Sequence, residues 1–407
     1  MYFPSTPISY AIEITYNCNH SCPGCANVLG QHRQKELHNW RELFDRIAPP
    51  DNRRQYAELL RITGGEPTLH PEFEQIIRYI DPFEIPHATF TNGRWTDPDS
   101  LIELFQKCQN FVGLLVSLHG STAETHQAFT HDALEGFEII CQNIRRAAEA
   151  GLEVFTNTVL TRDNCDQLDD IIALSQRLGA EYAVFNRYLG KPHPIESSEQ
   201  QLRQAIRRIE ALQREGVHCR IGDCIPPCFE KNSSMGSNGG IEHCAISPSG
   251  VVRPENLTSY TFGNLFEQSI EAIWQSERAQ WYRQQLPQKC LKCVELPRCR
   301  GGCRSVTVEY ELAGDPLMQE PICMAEPEIL ELDPAWKPVP FFNVRPEPFG
   351  YLLARYNWSV PIAHEAKALV EAINGQATLA QLHQQFGDDA LNFIGQLYRE
   401  GCVGFEE

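Results

Sequence analysis

Short apolar runs alternate with longer amphipathic stretches through the first half of the chain. Six runs are typical of buried strands, residues 10–15, 59–63, 87–91, 113–118, 153–160 and 182–187. Helical periodicity lies between them, for example over 71–79 and 133–150. Because crossovers between parallel strands are right-handed, such strand–helix units predict a parallel sheet of the α/β class. Six units favour a partial (βα)6 barrel, although periodicity alone does not separate a barrel from a doubly wound sheet.

The pattern changes in the second half. Residues 199–215 are dense in Arg, Gln and Glu and predict a solvated helix, and 326–340 contain four prolines and predict a linker. Beyond the linker, 341–355 alternate loosely as a short β-ribbon does. Helices are predicted to follow over 363–374, 378–386 and 388–399, each ending near a glycine. These changes predict three domains, residues 1–215, 216–330 and 331–407.

Composition narrows the choice of partners. The 407 residues include 35 basic and 53 acidic side chains, for a net charge of −18, whereas a nucleic-acid backbone requires a basic surface. The chain shows no signal peptide and no apolar stretch long enough for a bilayer. We therefore expect a cytoplasmic protein with neither nucleic acid nor membrane as partner. Sixteen cysteines in such a chain indicate metal ligation and not disulfides.

Three of these cysteines, Cys18, Cys22 and Cys25, follow the first predicted strand in a C-x3-C-x2-C spacing. This spacing suits a [4Fe–4S] cluster held by three thiolates, which leaves one iron open to a small molecule. The alternative is zinc, but zinc loops usually pair two C-x2-C motifs. The second predicted strand ends in Gly64, Gly65 and Glu66. Two glycines and a carboxylate at a strand end suit a small cationic ligand.

A second set of cysteines lies downstream. Cys290, Cys293, Cys299 and Cys303 are spaced C-x2-C-x5-C-x3-C, with Cys323 after them. Cys228 and Cys244 stand upstream, the latter in a Gly-x4-Cys motif. Structural zinc is again the alternative, since the local spacing suits it.

The cysteine loop and the Gly-Gly-Glu motif resemble the signature of the radical SAM enzymes. The resemblance implies that S-adenosylmethionine binds the open iron, with Gly64 and Gly65 admitting its methionyl end and Glu66 contacting its amino group. Polar residues at later strand ends are further candidates for cofactor binding, namely Asn92, Ser117 and Asn157. His119 is either a proton-transfer group or a structural histidine, and we favour the structural role.

This chain departs from the radical SAM pattern twice. Gly24 stands where many relatives have an aromatic residue, just before the third cysteine. No clear equivalent is found near Thr130 for an arginine that many relatives carry. The first departure concerns the contact to the adenine, and the second concerns the contact to the cofactor's carboxylate.

The downstream cysteines resemble the seven-cysteine SPASM extension, which implies two auxiliary [4Fe–4S] clusters and three clusters in all. An eighth ligand is then needed; Cys224 is preferred, with Cys219 in reserve. By analogy one auxiliary cluster takes Cys224, Cys228, Cys244 and Cys303. The other takes Cys290, Cys293, Cys299 and Cys323.

The predicted ribbon and three helices resemble the PqqD-like peptide-recognition domain, a winged-helix-like fold that binds the leader of a ribosomally made precursor peptide as an added strand. A generic winged helix is the alternative. The resemblance implies a peptide maturase that works through a 5′-deoxyadenosyl radical, with a reductant such as flavodoxin or ferredoxin.

Segments 89–95 and 116–120 are most similar to the splicease branch of these maturases. That branch excises a tyrosine-derived tyramine unit and leaves an α-keto-β-amino acid. The alternatives are thioether or carbon–carbon cross-linking of the core peptide, and a non-catalytic iron–sulfur protein that binds peptides.

Overall fold

The computed structural model describes residues 2–25, 35–51, 53–230, 236–323, 332–356 and 358–406. Its largest element is a sheet in which six parallel strands follow one another in chain order. These strands are β1 (Ser9–Thr15), β2 (Leu59–Gly64), β3 (His87–Thr91), β4 (Phe111–Ser117), β5 (Val154–Leu160) and β6 (Tyr182–Arg187). All six predicted strands are confirmed, with ends that differ by no more than two residues. The arrangement is consistent with the predicted partial barrel.

Four further strands extend this sheet at its two edges and were not predicted. They are β7 (Cys219–Ile221), β8 (His243–Ile246), β9 (Val251–Arg253) and β10 (Gly263–Asn264). β7 is parallel to β6, and β8 is parallel to β1 on the opposite side, so the order is β10-β9-β8-β1-β2-β3-β4-β5-β6-β7. Runs of two to four residues are too short to show a period, which is why the sequence pattern did not reveal them.

Helices connect the strands. Those of the first half are α1 (Trp40–Ile47), α2 (Arg53–Tyr56), α3 (Phe73–Ile80), α4 (Pro98–Gln106), α5 (Ala123–Thr130), α6 (Leu134–Glu149), α7 (Leu168–Arg177) and α8 (Glu199–Arg214). After β10 come α9 (Ile270–Trp274), α10 (Glu277–Gln284), α11 (Leu296–Cys299) and α12 (Arg304–Glu309). The helices predicted at 71–79, 133–150 and 199–215 are confirmed. Among the described residues, no helix combines the length and apolar composition that a bilayer crossing requires.

Every residue of β1 is buried, as expected for a strand covered on both faces. Tyr10, Ile12 and Ile14 belong to an apolar core that also contains Trp40 and Phe44 of α1. This core holds the strand that leads directly into the cysteine loop.

The C-terminal unit, residues 332–356 and 358–406, has its own small sheets and helices. Its elements are β11 (Lys337–Pro340), β12 (Asn343–Glu347), β13 (Gly350–Arg355), β14 (Trp358–Ile362), α13 (Lys367–Ala372), α14 (Leu379–Phe386), α15 (Asp388–Arg399) and β15 (Val403–Glu406). β12, β13 and β14 form an antiparallel sheet, and β11 pairs with β15. The last two predicted helices are confirmed.

Three predictions for this unit need correction. The predicted ribbon has a third strand, β14, and the helix predicted over 363–374 is shorter because a single 3-10 turn, His364–Ala366, precedes it. Residues 326–331 of the predicted linker 326–340 lie outside the described residues, but its last four residues form β11. Proline-rich composition suggested a linker, yet Pro338 and Pro340 lie on an edge strand, where proline is tolerated.

The three-stranded sheet of the C-terminal unit lies between its own helices and the rest of the protein. Leu353 and Ile362 belong to the apolar core that includes the helices. On the opposite face, Leu352 and Ala354 pack against Ile8, immediately before β1. Side chains alternate between the two faces of a strand, so successive residues of β13 pack on the helices and on Ile8 in turn.

Polar contacts reinforce this docking. The backbone N–H of Ser5 donates to Glu347 at 2.9 Å, and Arg345 donates to the carbonyl of Thr6 at 3.0 Å. The Asn343 side chain donates to Glu58 at 2.6 Å. The C-terminal unit therefore packs against the segment that leads into β1.

Candidate active site and thiol groups

The cysteine loop after β1 is fastened to the loop after β2 by close backbone contacts. The N–H of Gly65 donates to the carbonyl of Thr15 at 2.6 Å, and that of Glu66 donates to the carbonyl of Asn17 at 2.7 Å. A Cβ on Gly64 or Gly65 would lie 2.2 Å from the carbonyl oxygen of Thr15 or Asn17, respectively. The two glycines are thus required where the cysteine loop crosses the end of β2, in addition to any part in binding a cofactor.

Glu66 is fully buried and links three segments. Its carboxylate accepts hydrogen bonds from the N–H and hydroxyl of Thr68, from the hydroxyl of Thr91 and from the N–H of Asn92. Burial raises the pKa of Glu66, and these four donors act in the opposite direction. The structure thus shows Glu66 joining the ends of β2 and β3, and its contact to the cofactor's amino group stays a prediction.

The three thiols of the loop lie together. The N–H of His20 lies 3.4 Å from Sγ of Cys18, and the amide of Asn92 lies 3.8 Å from the same sulfur. Burial raises the pKa of Cys18, whereas the bond from His20 lowers it. Burial also raises the pKa of Cys22, and the neighbouring thiols Cys25 and Cys18 raise it further. Such mutual repulsion between thiolates is relieved when they bind a metal cluster.

The structure explains why residue 24 is a glycine. A Cβ there would lie 2.4 Å from the hydroxyl of Tyr188, which follows β6, and Gly24 has a φ of +69°. An aromatic ring therefore stands beside Gly24, but it comes from a segment more than 160 residues away in sequence. No local pattern indicates this contact.

The predicted polar residues Ser117 and Asn157 are register partners on β4 and β5. The Asn186 side chain on β6 donates to Oδ1 of Asn157 at 2.6 Å. Because the carboxyl ends of parallel strands meet at one edge, these side chains extend the polar row begun by Asn92 after β3. Asn186 was not predicted, although its place near the end of the sixth strand was a usable signal.

An arginine and a histidine near the loop also find definite partners. Arg94, which follows β3, pairs with Asp132, and Asn19 of the cysteine loop donates to the Arg94 carbonyl at 3.2 Å. Arg94 was not among the predicted site residues. His119 is buried, and its Nδ1 accepts the N–H of Val159 at 3.2 Å, as suits the structural role we favoured.

Four of the downstream thiols surround one cavity. We call Cys228, Cys290, Cys293 and Cys299 the outer thiol group, since all four line this cavity together with Met318. Burial, with the neighbouring thiols Cys299, Cys228 and Cys293, raises the pKa of Cys290 to about 11. Four thiols around one cavity match the donor set of a fully ligated [4Fe–4S] cluster.

Two other thiols lie deeper. We call Cys224 and Cys303 the inner thiol pair; both are buried and belong to one apolar cluster with Val306. Sγ of Cys303 lies 3.5 Å from a carboxylate oxygen of Glu255, and Asp315 accepts the N–H of Cys303 at 2.8 Å. Burial raises the pKa of both thiols well above the ordinary value, so binding a metal there releases protons.

This grouping differs from the division expected by analogy. Cys228 lies with the outer group, because the loop after Cys224 turns it toward Gln319, whose N–H lies 3.3 Å from its sulfur. Cys244 on β8 is fully buried in the apolar core beside Tyr10, its register partner on β1. Cys323 is exposed.

The two candidates for an eighth ligand have different surroundings in the structure. The reserve candidate Cys219 is buried in a separate apolar cluster, with its sulfur 3.8 Å from the carbonyl of Ile209. Cys224 instead shares a cluster with Cys303, so the structure places Cys224, and not Cys219, beside another predicted ligand.

A buried ion pair connects the end of β6 to the inner pair. Arg187 donates two hydrogen bonds to Asp315, at 2.8 and 2.6 Å, and both side chains are buried. Burial alone lowers the pKa of Arg187, but the Asp315 carboxylate outweighs it and the pKa is raised. Neither residue was predicted, because the pair joins positions 128 residues apart.

We expect Asp315→Asn to destabilise the protein by about 3–5 kcal/mol, because it leaves Arg187 buried and charged without its partner. The measurement is chemical denaturation of the metal-free protein under reducing conditions. Asp169→Asn is the matched control, because Asp169 pairs with Arg208 at the surface, where an ion pair contributes up to about 1 kcal/mol. Equal effects of the two substitutions would contradict the prediction.

Comparison with known sequences identifies the class. Residues 12–174 match the profile of the Radical SAM superfamily, and 228–294 match that of SPASM, an iron-sulfur cluster-binding domain. The chain therefore carries a radical SAM domain and, after it, a SPASM domain. Both resemblances inferred from the cysteine motifs are confirmed at this level.

Individual relatives refine the picture. The chain is 28% identical over 317 residues to the mycofactocin maturase MftC of Mycobacterium ulcerans, covering 73% of this chain and 83% of that protein. It is 24% identical to the AdoMet-dependent heme synthase of Nitratidesulfovibrio vulgaris (78% and 92% covered) and to the PqqA peptide cyclase of Xanthomonas campestris (79% and 88% covered). The homologues thus include radical SAM enzymes that modify peptides.

Among solved structures, the chain is similar to SuiB of Streptococcus suis bound to its precursor peptide SuiA. The TM-score is 0.64 with 16% sequence identity, over 78% of this chain and 77% of that one. At this identity the likeness establishes a shared fold, and the radical SAM and SPASM architecture of the chain agrees with it.

Proposed function

We propose that the protein is a radical SAM maturase that modifies a ribosomally synthesised precursor peptide. A radical SAM domain implies S-adenosylmethionine and a [4Fe–4S] cluster, and a SPASM domain implies auxiliary clusters. When bound, these groups supply a 5′-deoxyadenosyl radical that removes hydrogen from an unactivated C–H bond. The protein's part is to aim that radical and to exclude water.

The three thiols after β1 suit the cluster that binds S-adenosylmethionine. Cys18, Cys22 and Cys25 would ligate it, and polar N–H donors already face Cys18. Gly64, Gly65, Glu66, Asn92, Ser117 and Asn157 remain our proposed contacts to S-adenosylmethionine. The first five are supported by their position at or just beyond the carboxyl end of a parallel strand. Asn157 lies within β5 and is supported by its register with Ser117, the last residue of β4.

We propose two auxiliary clusters, one at the outer thiol group and one at the inner thiol pair. The outer group offers four cysteines, which is a complete ligand set. The inner pair needs further ligands, and Cys244 is the one expected there by analogy. Cys323, expected by analogy with Cys290, Cys293 and Cys299, is the other predicted ligand that lies outside both thiol groups. With the cluster after β1, this gives three clusters. We also propose three domains, with boundaries at about residues 215 and 330.

The C-terminal unit is the observation that favours a peptide substrate. Similarity alone leaves the substrate open, because one relative is a heme synthase. The unit offers an antiparallel sheet whose edge strands, β12 and β14, have no further strand partner among the described residues. Helices cover one face of this sheet, as suits a PqqD-like domain to which a leader peptide adds as a strand.

The docking of this unit supports the same proposal. The Ser359 hydroxyl on β14 donates to Glu242, which in turn accepts two hydrogen bonds from Arg300 at 2.7 Å each. In the sequence, Arg300 directly follows Cys299 of the outer group and precedes Cys303 of the inner pair by three residues. The C-terminal unit is thus linked through Glu242 and Arg300 to the segment that carries the thiol groups. A leader bound to this unit would be held close to that segment.

For the reaction itself, we propose excision of a tyrosine-derived tyramine unit, which leaves an α-keto-β-amino acid in the peptide. The alternative is oxidative thioether or carbon–carbon cross-linking of the core. Flavodoxin or ferredoxin is the proposed reductant, and the cytoplasm is the proposed location, in keeping with sixteen cysteines in a metal-binding chain.

The test is the intact mass of a precursor encoded beside this protein, after anaerobic co-expression. We expect a loss the size of a tyramine unit with the intact enzyme and no change with the Cys18→Ala/Cys22→Ala/Cys25→Ala variant. A loss of only two hydrogens would replace excision by cross-linking. An unchanged precursor, with S-adenosylmethionine still cleaved, would refute peptide modification of that substrate.

A further inference from the structure

Arg304 stands out among the buried charged residues of the protein. Its side chain is 0% exposed, and none of Nε, Nη1 and Nη2 makes a hydrogen bond within the described part of the chain. A buried guanidinium without an anionic partner is strongly unfavourable. A ligand that brings a negative charge beside Arg304 would therefore be strongly stabilised.

Other buried arginines of this chain do have such partners. Arg187 pairs with Asp315, Arg253 with Glu13, and Arg345 with Glu347. Each of these pairs forms between protein side chains alone. Arg283 has no carboxylate partner among the described residues, but its Nε donates to the carbonyl of Gly240 at 2.8 Å. Arg304 differs from these four arginines because, within the described part of the chain, none of its three side-chain nitrogens has a hydrogen-bond partner.

The surroundings of Arg304 indicate what the anion is. The residue directly follows Cys303 and begins α12. The charged and titratable groups that act on it most strongly are Tyr282, Arg300, Cys224 and Cys299. Two of these four are thiols, Cys224 from the inner pair and Cys299 from the outer group, and none is a carboxylate.

The nearby carboxylates are already engaged. Asp315 binds Arg187 and the N–H of Cys303, and Glu255 contacts the Cys303 sulfur. Glu242 pairs with Arg300. An iron–sulfur cluster with four thiolate ligands is anionic in both of its common oxidation states, and thiols around Arg304 are the ligands such a cluster needs.

We propose that Arg304 sets the reduction potential of the auxiliary clusters. Its buried positive charge offsets the negative charge of these clusters and so raises their potential. The inference rests on the proposed auxiliary clusters. The new element is the role of one side chain: Arg304, which lies near both thiol groups, controls how readily the auxiliary clusters accept an electron.

The direction of the effect follows from charge. Reduction adds one electron, so the reduced cluster is stabilised by a nearby cation more than the oxidised cluster is. Loss of the cation shifts the potential to more negative values. The effect is strong at this position because little solvent is present to screen it.

The experiment is a redox titration of the full-length, reconstituted protein, followed by electron paramagnetic resonance. For Arg304→Gln we expect the ratio of reduced to oxidised auxiliary cluster, at a fixed ambient potential, to fall about tenfold, which corresponds to about 59 mV for one electron. Arg304→Lys keeps the positive charge, so its auxiliary clusters should have reduction potentials close to those of the wild type. The signal of the cluster that binds S-adenosylmethionine should not move.

The matched control is Arg345→Gln/Glu347→Gln, which removes a buried ion pair from the C-terminal unit without touching the thiol groups. It should leave the auxiliary potentials unchanged. If Arg304→Gln does not fold, Arg304→Met is measured in its place, because it fills the same volume without a charge.

Two results would overturn the inference, and they are distinguishable. Auxiliary potentials equal to those of the wild type, at equal iron and sulfide content, would refute the role of Arg304 alone. A wild-type protein that binds iron only at the cluster after β1 would refute the auxiliary clusters, and the role of Arg304 with them.

Discussion

Replacing Cys18, Cys22 and Cys25 by alanine should abolish formation of 5′-deoxyadenosine from S-adenosylmethionine. The three thiols follow β1, Cys25 and Cys18 are close enough to raise the pKa of Cys22, and Cys18 faces N–H donors from His20 and Asn92. Without them the described residues of the loop offer no thiolate to hold a [4Fe–4S] cluster. Activity should fall to the background of a reaction without enzyme, and the iron content by about four atoms per chain.

The control is Cys141→Ala. Cys141 is a half-buried thiol on α6 that packs at the margin of the apolar core, outside both thiol groups and the cysteine loop. This variant should keep its iron and its activity. Undiminished cleavage of S-adenosylmethionine by the triple variant would exclude the radical SAM mechanism at this loop.

A precursor peptide that lacks its leader should be modified at least about 100-fold more slowly than the full-length precursor at micromolar concentration. The proposed cause is tethering, because a leader bound to the C-terminal unit holds the core at a high effective concentration near the barrel. The measurement is the rate of product formation by mass spectrometry with the intact enzyme. Excess free leader should inhibit the full-length reaction, since it competes for the same sheet edge.

The complementary enzyme variant ends after Cys323. A cut at Pro340 is unsuitable, because it would leave β11 without its partner β15. The shortened enzyme should process both peptides at the slow rate while still cleaving S-adenosylmethionine. If it modified the full-length precursor as fast as the intact enzyme does, the C-terminal unit would have no part in recognition.

Much of the first half of the fold was predictable because its signals are local. Strand length, helical periodicity and the spacing of Cys18, Cys22 and Cys25 are each contained within a few residues. β3 and β6 were predicted to the residue, as was α15, where a glycine precedes and follows a strongly amphipathic run. The radical SAM and SPASM domains were likewise predicted, because their cysteine motifs and the Gly-Gly-Glu motif resemble those of known families.

Other parts of the site depended on which distant segments meet. β8 joins the sheet beside β1, although more than 220 residues separate them, and its run of four residues shows no period. Gly24 is explained by Tyr188, and Arg187 by Asp315. Such contacts leave no trace in local spacing, so sequence reasoning had no means to find them.

The cysteines show which properties are fixed by the sequence and which depend on the tertiary structure. Sequence alone determined the number and spacing of the cysteines, which predict a radical SAM cluster and further clusters. Only the tertiary structure decided that Cys228 lies with Cys290, and that Arg304 is buried beside both groups without a hydrogen-bond partner among the described residues. Side-chain direction and burial arise from packing between distant segments, and they decide which thiols and charges can act together.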